Sequence, residues 1–128
     1  MKRLILLLIL GVIFFSGCKK STTDRITTQD QLLGKWKVAT ITEEDIVSGL
    51  PQTNTYTGQT ADYIDFRDDG KVYYNVDANL DTFTYHILND QLLVQDISDS
   101  FSIITLTSTN FTERHTSGSY KYTEYLYK

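Results

Sequence analysis

The sequence predicts an all-β domain, an antiparallel up-and-down β-barrel of about eight strands. Apolar and aromatic residues alternate with polar ones at a period of two over residues 31–128, and no useful stretch there shows a helical period. Short segments of Asp, Asn, Gly and Ser interrupt the alternation, as turns between antiparallel strands do. Because closure removes the two exposed edges of such a meander, a barrel is the arrangement we expect.

Eight segments carry the alternation, and turn-forming residues separate them. The Asp-Asp-Gly sequence at 68–70 places glycine where a positive φ is needed, and the Asn-Asp pair at 89–90 tolerates the left-handed region. The predicted strands are residues 33–42, 61–67, 71–77, 81–88, 91–95, 100–107, 110–116 and 120–127. Residues 43–60 contain the only proline, Pro51, and predict a long first loop that has room for a short edge strand.

Alternation also predicts which side chains face the barrel interior. The last strand changes step between Tyr122 and Tyr125, which predicts a bulge near Thr123. An eight-stranded barrel can be filled by side chains or can hold one small ligand. The predicted inward residues are Trp36, Val38, Ile64, Phe66, Val72, Tyr74, Val76, Phe83, Tyr85, Ile87, Leu92, Val94, Phe101, Ile103 and, after a one-residue slip, Leu106.

The N-terminus has the order of a signal peptide: Lys2 and Arg3, an apolar run over residues 4–15, and small residues before a cysteine. The apolar run is shorter than the roughly twenty residues of a spanning helix. Ser16-Gly17-Cys18 resembles the lipobox of bacterial lipoproteins, in which the cysteine is acylated and becomes the mature N-terminus. Cys18 is the only cysteine, so it has no partner for an intrachain disulfide.

Three domains follow from this reading: a signal peptide at 1–17, the lipidated Cys18 with a flexible tether at 18–30, and the barrel at 31–128. Lys19, rather than aspartate, follows the cysteine. By resemblance to known sorting rules, this predicts a lipid anchor in the outer membrane, facing the periplasm. An ordinary secretory signal and a transmembrane anchor are the alternatives.

The charge of the chain argues against nucleic acid as a partner. The formal net charge is −4, and removal of residues 1–17 takes away Lys2 and Arg3 and leaves −6. Beyond Lys19 and Lys20 there is no cluster of basic residues of the kind that neutralises phosphates.

The segment Leu33-Gly34-Lys35-Trp36 resembles the Gly-x-Trp signature of lipocalins. Together with residues 66–73, the strand pair over 85–93 and the Ile-Thr-Leu-Thr segment at 104–107, it resembles the lipocalin-like domain of small Bacteroidota lipoproteins. The resemblance covers about residues 32–128. It implies that Trp36 plugs the closed end of the barrel, with Arg114 as the candidate for the late-strand arginine that often covers this tryptophan.

No pattern in the sequence predicts an enzyme, a metal site or a cofactor. His86 and His115 are the only histidines, and we interpret both as lying on solvated strand faces. No Gly-x-Ser-x-Gly elbow, paired zinc-binding histidines or phosphate-binding glycine loop is present. The acidic clusters at 43–45, at Asp62 with Asp65, and at Asp96 with Asp99 are interpreted as solvated faces.

Two classes of function remain open. The first is binding of a small apolar or amphipathic ligand at the open end of the barrel, since tyrosine offers a flat apolar face and a hydroxyl. Its candidate residues are Trp36, Tyr56, Tyr63, Tyr74, Tyr85 and Tyr122. The second is a structural or inhibitor-like module of the cell envelope, with a filled barrel, whose partner protein meets residues 43–60 or exposed tyrosines. A cavity of about 300 Å³ or more would favour the first class.

Overall fold

The computed structural model describes residues 27–128, which form one short helix, α1 (Thr28–Leu32), and nine antiparallel strands. A single 3₁₀ turn, Gln95–Ile97, follows the sixth strand. No helix in this part of the chain is long and apolar enough to cross a membrane. The strands are β1 (Gly34–Val47), β2 (Leu50–Thr57), β3 (Tyr63–Phe66), β4 (Lys71–Val76), β5 (Asn79–Leu88), β6 (Gln91–Val94), β7 (Asp99–Leu106), β8 (Asn110–Ser117) and β9 (Tyr120–Tyr127).

Eight of the nine strands close a barrel. Strand β1 pairs with β3 through its first residues and with β9 along its other edge, and β3 to β9 pair in sequence order between them. Strand β2 is the additional strand, hydrogen-bonded to the second half of β1. The prediction of an all-β, closed antiparallel barrel is therefore confirmed.

The predicted long loop over 43–60 is wrong, because most of it forms a β-hairpin. Strand β1 continues to Val47, and only Ser48 and Gly49 separate it from β2. Both turn residues have positive φ, 54° and 80°, which suits the right-handed twist of a two-residue hairpin. Pro51 lies in β2, an edge strand, where a missing N–H can be tolerated.

A break at Gly58 separates β2 from β3 and lets both strands follow the same edge of β1. The Gly58 N–H donates a hydrogen bond to the carbonyl of Ala39 (3.0 Å), at the bulge where the β1–β9 register shifts between Val38 and Thr40. A Cβ on residue 58 would lie 1.9 Å from the Val38 carbonyl oxygen. Only glycine fits this approach of two backbones.

The prediction of a bulge near Thr123 in β9 is wrong. The irregularity in the β1–β9 pairing lies in β1 instead, between Val38 and Thr40. Strands β8 and β9 pair in continuous register, and Tyr122, Glu124 and Leu126 share one face while Tyr125 is exposed. The predicted slip before Leu106 is confirmed, since the β7–β8 register shifts between Ile103 and Thr105. All the residues predicted to face inward belong to the core or pack against it.

The two ends of the barrel differ, and we call them the closed end and the open end. Helix α1 and the β3–β4, β5–β6 and β7–β8 turns lie at the closed end. There the Trp36 ring packs on Phe111 at 5.5 Å between centroids, and Phe111 packs on Phe66 at 5.9 Å. The β1–β2, β4–β5, β6–β7 and β8–β9 connections surround the open end.

Helix α1 begins before residue 31, where the barrel domain was predicted to start. The Thr27 hydroxyl accepts from the Asp30 N–H while the Asp30 carboxylate accepts from the Thr27 N–H, a capping box that fixes the start of the helix. Leu32 is fully buried, and its carbonyl accepts a hydrogen bond from the Trp36 indole (2.7 Å). The signal peptide, Cys18 and most of the predicted tether lie outside the described residues.

Candidate functional site

The main cavity has a volume of about 330 Å³ and opens at the open end of the barrel. Aromatic side chains form much of its wall, and Tyr74 and Phe83 meet edge to face at 5.5 Å. Its lining residues come from β4 to β9 and the 3₁₀ turn: Tyr74, Val76, Asn79, Asp81, Phe83, Val94, Ile97, Asp99, Phe101, His115, Tyr120, Tyr122 and Glu124. This volume exceeds the roughly 300 Å³ above which we expected the barrel to be a ligand-binding protein.

Two buried glutamates lie at the inner end of this cavity. Glu113 of β8 and Glu124 of β9 are directly opposite each other in the strand register, and they are 0% and 2% exposed. Along β8, Glu113 lies between Phe111 of the closed-end core and His115 of the cavity wall. The carboxyl pair therefore lies between the aromatic core and the cavity.

The carboxyl pair is short of hydrogen-bond donors. The Tyr122 hydroxyl donates to Glu124 Oε1 at 2.6 Å. Apart from a proton that the two carboxyls can share, neither oxygen of Glu113 nor Glu124 Oε2 has a hydrogen-bond partner within residues 27–128. Buried polar groups are normally paired, so three acceptor atoms without donors in one place call for an explanation.

Burial and mutual repulsion change the ionisation of both glutamates. Burial raises the pKa of Glu113 well above its ordinary value, and the nearby Glu124 charge raises it further. Burial also raises the pKa of Glu124, although hydrogen bonds from the protonated form of Glu113 and from Tyr122 partly offset this increase. Two carboxyl groups in contact do not both ionise readily, so the pair retains a proton at pH values where exposed glutamates are charged.

A second cavity, of about 350 Å³, lies between the β1–β2 hairpin and the β4–β5 turn. It shares Val76 and Tyr122 with the main cavity. Beside it, the Tyr56 hydroxyl donates to the buried carboxylate of Asp62 at 2.5 Å. Asp62 also accepts from the N–H groups of Gln59 and Asp77, so this part of the wall is a satisfied hydrogen-bond network.

The structure separates the six predicted ligand-binding residues into three places. Tyr74 and Tyr122 line the main cavity, and Tyr56 lines the second one. Trp36 and Tyr85 lie in the closed-end core, where the Tyr85 hydroxyl donates to the Arg67 carbonyl at 2.8 Å. Tyr63 lies outside both cavities, with the Lys35 ammonium 4.0 Å above its ring. A single site therefore cannot use all six.

The predicted partner of Trp36 is wrong. The Lys128 ammonium, rather than a late-strand arginine, lies 4.1 Å from the Trp36 ring centroid and donates to the Leu33 carbonyl. Arg114 lies elsewhere and donates from Nε to the Thr123 hydroxyl. A lysine at the C-terminus thus supplies the cation–π contact at the closed end.

Two of the side chains that were predicted to be solvated, His115 and Asp62, have different positions. His115 lines the main cavity, and its ring lies 5.6 Å from that of Phe101, whereas His86 is exposed as expected. Asp62 is buried, whereas the Asp99 side chain lines the main cavity and is still 41% exposed. No group of three or more potential ligands within residues 27–128 is arranged to hold a metal ion.

Sequence reasoning missed the two glutamates, although a signal for them was present. Phe111, Glu113 and His115 share one parity on β8, and the apolar Phe111 is a natural core residue. The assumed bulge near Thr123 removed Glu124 from the inward face of β9. Without that bulge, alternation from Tyr122 to Leu126 places Glu124 inside.

Comparison with known families agrees with this architecture. The family model described as a lipocalin-like domain matches residues 32–113, which is more than half of the chain and includes Trp36, six complete barrel strands (β1 and β3 to β7) and the first half of β8. No curated protein and no solved structure matches the sequence significantly. The closed eight-stranded barrel and the family match together show that the chain belongs to the lipocalin-like domain family.

Proposed function

We propose that this protein is a non-enzymatic binding protein of the bacterial cell envelope that holds one small amphipathic molecule in its main cavity. The observation that carries the proposal is a cavity of about 330 Å³ at one end of a barrel whose other end is filled by Trp36, Phe66 and Phe111. Apolar and aromatic walls with a few polar groups are the usual composition of a small-molecule site.

The position of the protein in the cell is the second part of the proposal. The order of charges, apolar residues and small residues before Cys18 supports cleavage and acylation at this cysteine, and Lys19 supports an outer-membrane location facing the periplasm. Several acyl chains would hold the protein stably at the bilayer. The barrel would then present its cavity next to the membrane surface.

Lipidation is tested with the Cys18→Ala variant. The wild-type protein should partition into the detergent phase of a cloud-point separation, and the variant should remain in the aqueous phase. Unchanged partitioning would contradict lipidation at Cys18. Fractionation of inner and outer membranes from cells that express the wild type tests the location separately.

Ligand binding is tested by native mass spectrometry of the chain from Lys19 onward, after exposure to an envelope extract of the source organism. A discrete bound mass that unfolding releases would establish a carrier. The matched variants are Tyr74→Ala, which removes a cavity wall, and Tyr73→Ala, which removes a neighbour that packs beneath Arg67 outside the cavity. We expect only Tyr74→Ala to weaken ligand retention, with both variants still folded by circular dichroism.

A second candidate function is favoured by the tip of the β1–β2 hairpin. Ile46, Val47 and Leu50 are more than half exposed there, and β2 pairs only with β1 in the described sheet. A partner protein can pair a strand of its own with this free edge and cover the exposed apolar tip beside it. A clean unbound mass after exposure to every extract would favour this interaction module over the carrier.

A further inference from the structure

The polar atoms that the main cavity leaves without partners indicate the chemistry of its ligand. While both carboxyls are ionised, both oxygens of Glu113 and Oε2 of Glu124 are hydrogen-bond acceptors that have no donor within residues 27–128. Glu124 is one of the residues that line the cavity, so its side chain borders the space that a bound molecule would fill. An unpaired carboxylate in an apolar site is best satisfied by a ligand that brings both donors and positive charge.

The charge of the wall points in the same direction. Asp81, Asp99 and Glu124 contribute three carboxyl groups to the lining, and neither lysine nor arginine is among the lining residues described above. Acidic groups attract a cation and repel an anion, most strongly at the buried Glu124 and less at Asp81 and Asp99, which are exposed and partly exposed to water. A fatty acid or a phosphate ester would therefore bring a charge that this wall disfavours.

Aromatic side chains complete the site for a cation. Tyr74, Phe83, Phe101 and Tyr122 all line the cavity, and Phe101 and Tyr122 meet edge to face at 6.2 Å. Aromatic faces carry the negative part of the ring quadrupole and attract ammonium groups. The same rings offer apolar surface to the body of an organic molecule.

We propose that the main cavity binds a small organic amine in its protonated form, with the ammonium group at Glu124 and the apolar body among the aromatic side chains. This inference rests on the proposed carrier function and names the class of its ligand. The ammonium would donate to the Glu124 carboxyl and offset the charge of the carboxyl pair. A cavity of about 330 Å³ limits the ligand to a compact molecule.

The test is a titration with matched probes. The barrel of residues 34–127 closes on itself around its own core, so the chain from Lys19 onward is used. The probes form two series with similar bodies and different headgroups: hexylamine, hexanol and hexanoate, and 2-phenylethylamine, 2-phenylethanol and 3-phenylpropionate. Calorimetry at pH 7 should give an amine Kd at least about tenfold below that of the alcohol in at least one series, with the carboxylate weakest.

Two variants separate a specific role for Glu124 from general effects of charge. Glu124→Gln keeps the shape of the side chain and should raise the amine Kd by at least about tenfold while leaving the alcohol Kd nearly unchanged. Glu44→Gln is the control, because this β1 side chain is half exposed at 51% and makes only a surface ion pair with Lys121 at 3.8 Å. It should leave both constants unchanged.

The outcomes distinguish this inference from the function on which it rests. If the alcohols bind as tightly as their amines in both series, the inference that the ligand is a protonated amine is wrong, and the protein remains a carrier of neutral molecules. If none of the six probes binds, the inference that the ligand is an amine is also wrong. If envelope extracts also yield no bound mass, the carrier function itself fails.

Discussion

Two buried carboxyl sites in this barrel differ in how well their hydrogen-bonding needs are met. Asp62 is 2% exposed and accepts three hydrogen bonds, from the Tyr56 hydroxyl and from the N–H groups of Gln59 and Asp77. Glu113 is 0% exposed and accepts none within the described residues. Both lie inside the fold, so burial alone does not distinguish them.

The difference appears in the direction of their pKa shifts. Burial raises the pKa of Asp62, but its three hydrogen bonds and the charge of Lys37 outweigh burial and lower the pKa overall. Burial raises the pKa of Glu113, and Glu124 raises it further. Asp62 connects the β2–β3 break to the β4–β5 turn and has a structural role, whereas the glutamate pair has acceptor capacity that a ligand can use.

The largest expected effect comes from removing the satisfied carboxylate. Asp62→Ala leaves three donors without their acceptor at the junction of the β2–β3 break and the β4–β5 turn, and it should lower the free energy of unfolding by about 3 kcal/mol. Urea denaturation followed by tryptophan fluorescence measures this. Asp65→Ala is the control, because it removes a carboxylate that makes an ion pair with the exposed Arg67 side chain and should cost about 1 kcal/mol or less. Equal losses of unfolding free energy in the two variants would contradict the structural role that we assign to the hydrogen bonds of Asp62.

Replacing Glu113, the unsatisfied carboxyl, should instead raise the free energy of unfolding. Glu113→Gln removes the repulsion of Glu124 and provides an amide that can donate to it, so the free energy of unfolding at pH 7 should rise by about 1.5 kcal/mol. Thermal and urea denaturation measure the gain, and Glu44→Gln provides the surface reference. A clear loss of stability would show that Glu113 has a favourable role in the folded protein that its missing partners do not suggest.

Stability should depend on pH in opposite directions at the two sites. The pKa of Glu113 is raised from 4.5 in the folded state, so its contribution to stability is complete below pH 4.5 and is lost as pH rises through the folded pKa. The pKa of Asp62 is lowered from 3.8, so its contribution is present above pH 3.8 and is lost as pH falls through the folded pKa.

Unfolding free energies of the wild type and Glu113→Gln, measured from pH 3 to pH 8, isolate the first of these effects. The stability of the wild type relative to the variant should fall from pH 4.5 toward neutral pH. Below about pH 3.8 both proteins should weaken together as Asp62 becomes protonated. A constant difference over the whole range would mean that Glu113 titrates normally.

Local patterns were sufficient to predict most of the fold. Period-two alternation gives the inward faces, and turn residues such as Asn89 and Asp90 adopt the positive φ that their chemistry allows. The β1–β2 hairpin was missed because proline and several polar residues resemble a loop when read alone. Its strand character depends on pairing with β1, and the Ser48-Gly49 turn was the available signal.

The candidate site was less predictable, because it depends on contacts between distant parts of the chain. Tyr74 and Tyr122 were identified from their parity, but the same reasoning could not separate them from Tyr85, whose hydroxyl is used by the β3–β4 turn. Lys128 reaches Trp36 from 92 positions away in sequence. The glutamate pair could have been found on β8 and β9 by parity, yet its lack of donors is visible only in the closed barrel.

The smallest expected effect concerns the one hydroxyl that donates to the glutamate pair. Tyr122→Phe removes the hydroxyl that donates to Glu124, so it should raise the pKa of Glu124 further and lower the free energy of unfolding by about 1 kcal/mol. Carboxyl carbon NMR with labelled glutamate measures the pKa directly. Tyr56→Phe is the matched change at Asp62, which retains two other donors and should keep a pKa below its ordinary value. Only Tyr122→Phe should leave its carboxylate without a hydroxyl or N–H donor, because Asp62 retains two N–H donors after Tyr56→Phe. An unchanged Glu124 pKa would show that the Tyr122 hydroxyl does not stabilise the charged form.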